Sequence, residues 1–297
     1  MEKKQLSALV HADDPQAVFS EVNHILAQMP PGVDRQMVAT AFETVVSLYR
    51  GTYTGYRACN TGYHTLHHAT STFLTMAQLL HGAHKDGVAL SPADVQLGLI
   101  TALFHDAGYI QEAHDTKGTG AKHTAHHVER SMDLLEKLAR RHGLLGGEID
   151  IARVMIKYTD ISIDIDDLDI RDERADFLGR MLTAADLLAQ LADRHYLEKL
   201  PHLYEEFREG QVGNYASKFD LIHSTLGFIA FCENYLERIC PHHGRYLVRH
   251  FTIRWQTPAN LYQQAIDGHK AYLKKILTLP EEELLFQLKR RKRSSPA

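Results

Sequence analysis

The chain has 297 residues, with 33 Lys and Arg against 37 Asp and Glu, a formal net charge of −4 and 44 % hydrophobic residues. This balance excludes a disordered acidic or basic chain. It also gives the protein no overall positive charge that would attract nucleic acid or an anionic membrane. The one basic cluster, Lys289 to Arg293, we interpret as a solvated tail.

Apolar residues spaced three and four apart recur along the chain, whereas alternating β-branched runs do not occur. This pattern predicts an all-α protein. The predicted helices cover residues 15–29, 34–50, 63–81, 92–106, 123–142, 148–158, 174–192, 195–208, 219–239, 243–250, 258–278 and 281–290. Ser91 followed by Pro92 predicts a helix N-cap, and Gly108 predicts the end of a helix.

We expect a compact central domain over residues 56–240, an N-terminal helical segment over 1–55, and a C-terminal helical extension over 241–297 packed on the same domain. Between two predicted helices, Asp160 to Glu173 is rich in Asp and Glu and is predicted to be a loop. We expect Asp164 to Asp172 to be exposed and mobile and to bind no catalytic metal.

No targeting or membrane segment is visible in the sequence. Met1 to Val22 lacks an apolar signal region, and the run Leu97 to Phe104 is far shorter than the roughly 20 residues of a spanning helix. Cys59, Cys232 and Cys240 lack metal-binding spacing and are expected to be small buried side chains. We therefore expect a cytoplasmic protein with no membrane or nucleic-acid partner, and a homodimer is the oligomer to consider.

Histidine is the compositional outlier, at 20 of 297 residues. His64 and His68 are four apart and predicted to share a helical face, His105-Asp106 ends an apolar helix, and Asp186 lies among apolar neighbours. Buried polar groups are costly unless something compensates them. Two imidazoles and two carboxylates form a mixed set suited to Zn, Mn, Fe, Ni or Mg, with positions left open for water or substrate.

The order of His68, His105-Asp106 and Asp186 resembles the HD superfamily of metal-dependent phosphohydrolases. Over about residues 60–240 the resemblance is most like the catalytic domain of class I cyclic nucleotide phosphodiesterases. The segments similar to that family's motifs are Tyr63 to Ala69, Met155 to Ser162, Ala185 to Leu187, Glu205 to Gly210 and Leu226 to Ile229.

The resemblance implies a role for each matching residue. His64 is expected to be the general acid, and the metal ligands are expected to be His68, His105, Asp106 and Asp186. Thr159 would hydrogen-bond a metal-bound water, Phe228 would clamp a base, and Tyr63 and Thr225 would contact substrate.

The chain departs from the family at three positions. Tyr109 stands where the family has a second histidine, Thr65 replaces an asparagine, and Thr225 occupies the place of the purine-selecting glutamine. His127, four residues before Ser131, resembles a further family motif and is a candidate for a second metal or its surroundings. We therefore expect one or two divalent metal ions.

The predicted function is metal-dependent hydrolysis of a small-molecule phosphoester, a cyclic nucleotide or a related phosphodiester. In this hypothesis the metal acidifies a water and polarises the phosphoryl oxygen, and His64 protonates the leaving alkoxide. Two alternatives stay open: an HD-type di-iron oxygenase, and a non-catalytic nucleotide- or metal-binding regulatory module.

Overall fold

The computed structural model describes residues 4–168 and 170–288, and within them the regular secondary structure is helical, so the predicted all-α class is confirmed. The α-helices of this part are α1 (Pro15–Leu26), α2 (Arg35–Arg50), α3 (Leu66–Lys85), α4 (Pro92–Phe104), α5 (His127–His142), α6 (Ile149–Lys157), α7 (Glu173–Leu191), α8 (Tyr196–Gly210), α9 (Lys218–Ile239), α10 (His243–Trp255), α11 (Leu261–Ile276) and α12 (Glu281–Leu288). Short 3₁₀ turns include Ala107–Tyr109 and Gly120–His126.

Each predicted helix has an observed counterpart, with differences at the ends. The start of α3 lies at Leu66 instead of 63, and α10 continues to Trp255 beyond its predicted end at 250. The last predicted helix, 281–290, extends beyond the described residues, and the basic cluster Lys289 to Arg293 lies outside them.

Helix α3 is the centre of the molecule. Every residue from Thr72 to Ala83 is buried, as expected for a helix that is covered on all sides. It packs against α1, α4, α7 and α10. Helices from the N-terminal and the C-terminal segments therefore both pack on α3. The domain boundaries at residues 55 and 240 stay a prediction.

Two local sequence features explain how α4 and α10 meet this core. Ser91 accepts a hydrogen bond from the Asp94 amide, and the Asp94 carboxylate accepts one from the Ser91 amide, which confirms the predicted N-cap of α4. At the crossing of α3 and α10, a Cβ on Gly82 would lie 1.9 Å from the carbonyl oxygen of Tyr246. Only glycine permits this close approach of the two backbones.

No helix in residues 4–168 and 170–288 is both long and apolar enough to cross a membrane. The three cysteines are free; Cys232 and Cys240 are buried as predicted, and Cys59 is partly exposed.

A buried histidine pair joins α3 to α10. The Nδ1 atoms of His81 and His250 lie 3.1 Å apart, both residues are fully buried, and the Nε2 atom of each has no hydrogen-bond partner within the described part of the chain. Burial, followed for His81 by the charge of Lys85, lowers the pKa of His81 to about 4. Burial and the neighbouring ring of His81 lower the pKa of His250 to about 3.

From the low pKa values of this pair, we expect acid to destabilise the folded protein. Because the folded-state pKa values lie below the usual 6.5, the unfolded chain takes up protons that the folded chain excludes. The stabilisation is therefore complete above about pH 6.5 and is lost as the pH falls toward 4. We expect His250→Asn, which can still hydrogen-bond His81, to reduce the pH dependence of the unfolding free energy by about 1 kcal/mol per pH unit in that range.

The measurement is urea unfolding at pH 4.5, 5.5, 6.5 and 7.5. His114→Asn is the control, because the His114 side chain is 81 % exposed. Equal slopes in wild type and His250→Asn would show that this pair does not exclude protons.

Candidate metal centre

Four potential metal donors converge where α3, α4 and α7 meet. His68 lies in the first turn of α3, His105 and Asp106 follow the last residue of α4, and Asp186 lies in α7. The ligand atoms of His68, His105 and Asp106 lie within 4.8 Å of one another, and the three residues are buried. This group can hold a metal ion.

The distances place Asp186 beside the same group. The His68 Nε2 atom lies 3.2 Å from His105 Nε2, 3.2 Å from Asp106 Oδ2 and 2.9 Å from Asp186 Oδ1. The His105 Nε2 atom lies 3.4 Å from each of the same two carboxylate oxygens. Ligands 2.0 to 2.2 Å from one ion lie about 3.0 to 3.5 Å from each other at right-angle or tetrahedral positions. The spacing of these atoms fits one divalent ion.

The hydrogen bonds around the rings favour the same interpretation. The Nδ1–H group of His105 donates to the Ala102 carbonyl at 2.8 Å, so the Nε2 atom of the neutral ring carries a lone pair aimed at the cluster. Within the described part of the chain, the buried Oδ1 atom of Asp186 accepts no well-directed hydrogen bond. This oxygen and the Nε2 atoms of His68 and His105 face one another in the buried site, and a bound metal would accept a lone pair from each.

Charge interactions among His68, His105, Asp106 and Asp186 shift the pKa of each of these side chains. Burial alone would lower the pKa of His68 and of His105, but the carboxylates of Asp106 and Asp186 outweigh it and raise both. Burial alone would raise the pKa of each aspartate, but the histidines outweigh it and lower both. Both carboxylates are therefore charged at neutral pH and available to a metal.

His64 lies outside α3, which corrects the prediction that it shares a helical face with His68. The cap residue Thr65 is extended, with φ −111° and ψ 174°. The Tyr63 amide donates to Glu206 Oε1 at 2.5 Å, and the His64 amide approaches the same oxygen at 3.4 Å. These hydrogen bonds hold the segment away from the helix, yet the His64 and His68 ring centroids remain 6.0 Å apart.

Glu206 also determines how the His64 ring is oriented. The His64 Nδ1–H group donates to Glu206 Oε2 at 2.6 Å, which leaves the Nε2 atom as the second polar atom of the ring. Burial would raise the pKa of Glu206, but His64 and the two backbone amides lower it. The charged carboxylate therefore fixes the tautomer and the orientation of the His64 ring.

Tyr109 is stacked between two histidines. Its ring lies 4.4 Å from the His64 ring at 8° and 4.8 Å from the His127 ring at 25°. The His127 Nδ1–H group donates to the Thr124 carbonyl at 2.7 Å, and His127 Nε2 lies 3.7 Å from Asp106 Oδ1. His127 therefore approaches the second oxygen of Asp106, and its role toward a second metal stays a prediction.

The donor cluster lies at one end of a cavity of about 210 Å³. The predicted substrate residues Tyr63, Thr225 and Phe228 all line it, as does Thr159. The Thr159 hydroxyl donates to the Ile156 carbonyl at 2.7 Å, and its lone pairs stay available to accept. The structure thus brings together every residue that the sequence singled out, although their roles are still predictions.

Sequence reasoning assigned no role to Glu206. It matched a family motif there, but nothing in the motif distinguished it from Glu205, which is half exposed. The spacing could have done so, because Glu206 lies three residues after Leu203 on the apolar face of α8.

The acidic segment behaves only partly as predicted. The carboxylates of Asp164 and Asp166 are about half exposed, but both pair with Arg238 Nη1, at 3.0 and 2.7 Å. Ile165 between them is only 1 % exposed and anchors the segment in the core. Asp169 lies outside the described residues.

Gly108 was predicted to end a helix, but α4 ends earlier, at Phe104, and Gly108 has a different role. A Cβ there would lie 2.1 Å from the His127 carbonyl oxygen, and the Gly108 amide donates to the Ser131 hydroxyl at 2.9 Å. The glycine lets α5 pack directly on the turn that carries His105 and Asp106.

We expect Gly108→Ala to destabilise the protein by about 3 kcal/mol, because the added methyl meets backbone atoms of α5 that cannot move independently. Gly147→Ala is the matched control, since a Cβ at Gly147 would meet nothing within 4 Å among the residues that the structure describes. Urea midpoints at pH 7.5 measure both effects. A Gly108→Ala midpoint equal to that of Gly147→Ala would contradict the packing argument.

The fold and the site together define an all-α protein with a buried group of histidines and aspartate able to hold a metal. Comparison with known families finds that the model of the Npun_R2479-like family matches residues 112–236. This range is less than half of the chain; it contains Asp186 and Glu206 but begins after His105 and Asp106. No curated protein matches the chain.

Proposed function

We propose that the protein is a metal-dependent phosphohydrolase, similar to the phosphodiesterases of the HD superfamily, that hydrolyses a small phosphoester. One observation carries the proposal: the donors of His68, His105 and Asp106 converge at the end of a cavity that His64 also lines. Metal donors and an oriented proton donor on one cavity are what phosphoester hydrolysis requires.

The first part of the proposal concerns the metal. His68, His105 and Asp106 would hold it, with Asp186 Oδ1 as the fourth donor. A bound divalent ion would supply polarisation of a phosphoryl oxygen and a water of lowered pKa. The ring of His105 is fixed by the Ala102 carbonyl, so the donor atom is already oriented in the folded chain.

The second part concerns the proton. His64 donates through Nδ1 to Glu206, so Nε2 is the atom that would give a proton to the leaving oxygen. The hydrogen bond to Glu206 holds the His64 ring in one tautomer, and the stacked Tyr109 ring restricts its rotation. A proton donor held in one orientation typically accelerates departure of a poor leaving group by about 10²- to 10⁴-fold.

The test is metal analysis of the purified protein together with hydrolysis assays. Metal-free protein would receive Mn, Mg, Fe, Zn or Ni, and then bis(4-nitrophenyl) phosphate or 3′,5′-cyclic AMP. We expect turnover of the nitrophenyl diester that requires added metal.

Three other outcomes would overturn the proposal. Bound metal without hydrolysis of any phosphoester would favour the regulatory module, and oxygen consumption by the iron-loaded protein would favour the oxygenase. Hydrolysis that is unchanged by a chelator would exclude the metal from the reaction.

A further inference from the structure

Most of the exposed surface that lines the cavity beside the metal donors is apolar. Beyond the cluster, its wall includes the side chains of Leu187, Leu200, Leu203, Phe207, Leu221 and Phe228. Burial of apolar ligand surface against such a wall is favourable, at about 25 cal/mol per Å². The wall therefore favours a ligand whose organic group is apolar.

Positive side chains are missing from this wall. Within residues 4–168 and 170–288, no lysine or arginine lines the cavity. Two basic residues near the site have other partners: Lys199 pairs with Asp193 at 2.5 Å, and Arg130 donates to the carbonyls of Gly108 and Ile110. A ligand with several phosphates would find no guanidinium or ammonium partner there, although such groups usually bind phosphates.

The volume of the cavity shows what size of organic group it can enclose. An apolar cavity of about 150 Å³ binds benzene. The volume of about 210 Å³ here therefore suits one aromatic ring or a short alkyl chain. Tyr63 lines the cavity, and its buried hydroxyl has no hydrogen-bond partner within the described part of the chain.

The outer end of the wall continues to the surface through aromatic rings. Phe228 lines the cavity, and its ring centroid lies 6.5 Å from that of Phe231, which is 48 % exposed. Phe231 in turn stacks on Tyr235 at 5.8 Å. An apolar ligand thus has an apolar approach along α9.

We propose that the cavity binds the apolar organic group of an amphipathic phosphoester, an alkyl or monocyclic aryl ester with a single phosphate, and discriminates against nucleotides. The placement of the phosphate at the metal donors rests on the proposed function. The apolar specificity of the wall does not depend on hydrolysis.

The test is calorimetric titration of metal-free and metal-loaded protein with methyl, butyl, hexyl and phenyl phosphate and with 3′,5′-cyclic AMP. Each methylene should tighten Kd by about fourfold until the cavity is filled, as its transfer from water predicts. Phenyl and hexyl phosphate should bind tighter than cyclic AMP. A Kd independent of chain length, or tighter binding of cyclic AMP, would overturn the proposal.

Variants at Leu203, which is 9 % exposed in the wall, test the location. Leu203→Gln should weaken hexyl phosphate at least tenfold and methyl phosphate less than twofold, because only the longer chain reaches the wall. Leu203→Met is the matched control, since it keeps an apolar side chain of similar volume and should stay within twofold of wild type. Equal effects of the two variants on hexyl phosphate would contradict the proposal.

Ser224→Lys gives a second test if Leu203→Gln does not fold. Ser224 lines the cavity and is exposed, so the lysine can reach solvent and the cavity mouth without entering the core. We expect it to shift the ratio of ADP to hexyl phosphate affinity toward the nucleotide by at least fivefold, because ADP has two phosphates and carries more negative charge than hexyl phosphate. An unchanged ratio would overturn the proposed discrimination.

The two proposals fail in different ways. Chain-length-dependent binding without hydrolysis of any phosphoester would remove the phosphohydrolase and keep the apolar site. Metal-dependent hydrolysis without chain-length dependence would keep the enzyme and remove the apolar site.

Discussion

Replacing His105 by alanine should remove bound metal and phosphoester hydrolysis together, with metal affinity lowered by at least about 100-fold. The ring is fully buried, and its Nε2 atom lies within 3.4 Å of the donor atoms of His68, Asp106 and Asp186. Loss of a group that only orients a ligand typically costs 10- to 100-fold in metal affinity, so loss of the ligand itself should cost more.

His243→Ala is the matched control for this variant. The His243 ring is also buried, and its Nδ1–H group also donates to a carbonyl three residues earlier, that of Cys240, at 2.8 Å. Both variants remove a buried imidazole with the same local hydrogen bond, but only His105 faces the donor cluster. His243→Ala should therefore lose stability and keep its metal.

Asp186→Asn extends the test to the residue with the unpaired oxygen. The amide keeps the shape of the side chain and removes the charge that a divalent ion requires. Metal content by mass spectrometry after dialysis, with circular dichroism to establish folding, measures each variant. Full metal content in folded His105→Ala or Asp186→Asn would refute the assignment of that ligand.

Three of the candidate metal donors, His105, Asp106 and Asp186, could be recognised in the sequence because each one stands out from its local pattern. His105-Asp106 closes an apolar helix and Asp186 interrupts one, and a polar group in such a place needs compensation. The helices that carry these residues could also be predicted locally. A helix with one buried face has apolar residues three and four positions apart, and a short window of sequence contains that pattern. What the pattern could not supply was the distance between these helices.

The position of His64 depends on a contact that local patterns do not contain. The four-residue spacing to His68 predicts a shared helical face, but Glu206, 142 positions later, binds the Tyr63 and His64 amides and holds them outside α3. A contact over such a separation is decided by packing of α8, and no window of the sequence includes both partners. The same holds for Gly108, whose neighbour is the backbone of α5.

The stack of His64, Tyr109 and His127 is a further consequence of this packing. Tyr109 follows the His-Asp pair on the turn that Gly108 allows to approach α5, and His127 begins α5. The turn therefore positions both Asp106, a candidate metal donor, and the Tyr109 ring that stacks on His64. Disturbing this turn should affect metal binding and proton donation together, while changes at the acidic segment around Ile165 should affect neither.

Replacing His64 by asparagine should keep the metal and slow hydrolysis of esters with poor leaving groups by about 100-fold or more. The ring contacts Glu206 and Tyr109, and its Nε2 atom is the expected proton donor. Activated aryl esters should suffer much less, because 4-nitrophenolate leaves without a proton. The measurement is kcat for a methyl phosphodiester and for bis(4-nitrophenyl) phosphate, with metal content determined on the same samples.

The neighbouring His67 provides the matched control. It lies in the same motif, but its ring bonds the Ala12 carbonyl and faces Asp193, away from the cavity. His67→Asn should therefore slow both esters equally or not at all. If His64→Asn slows both esters equally, His64 positions substrate and donates no proton, and if it loses metal, His64 is itself a ligand.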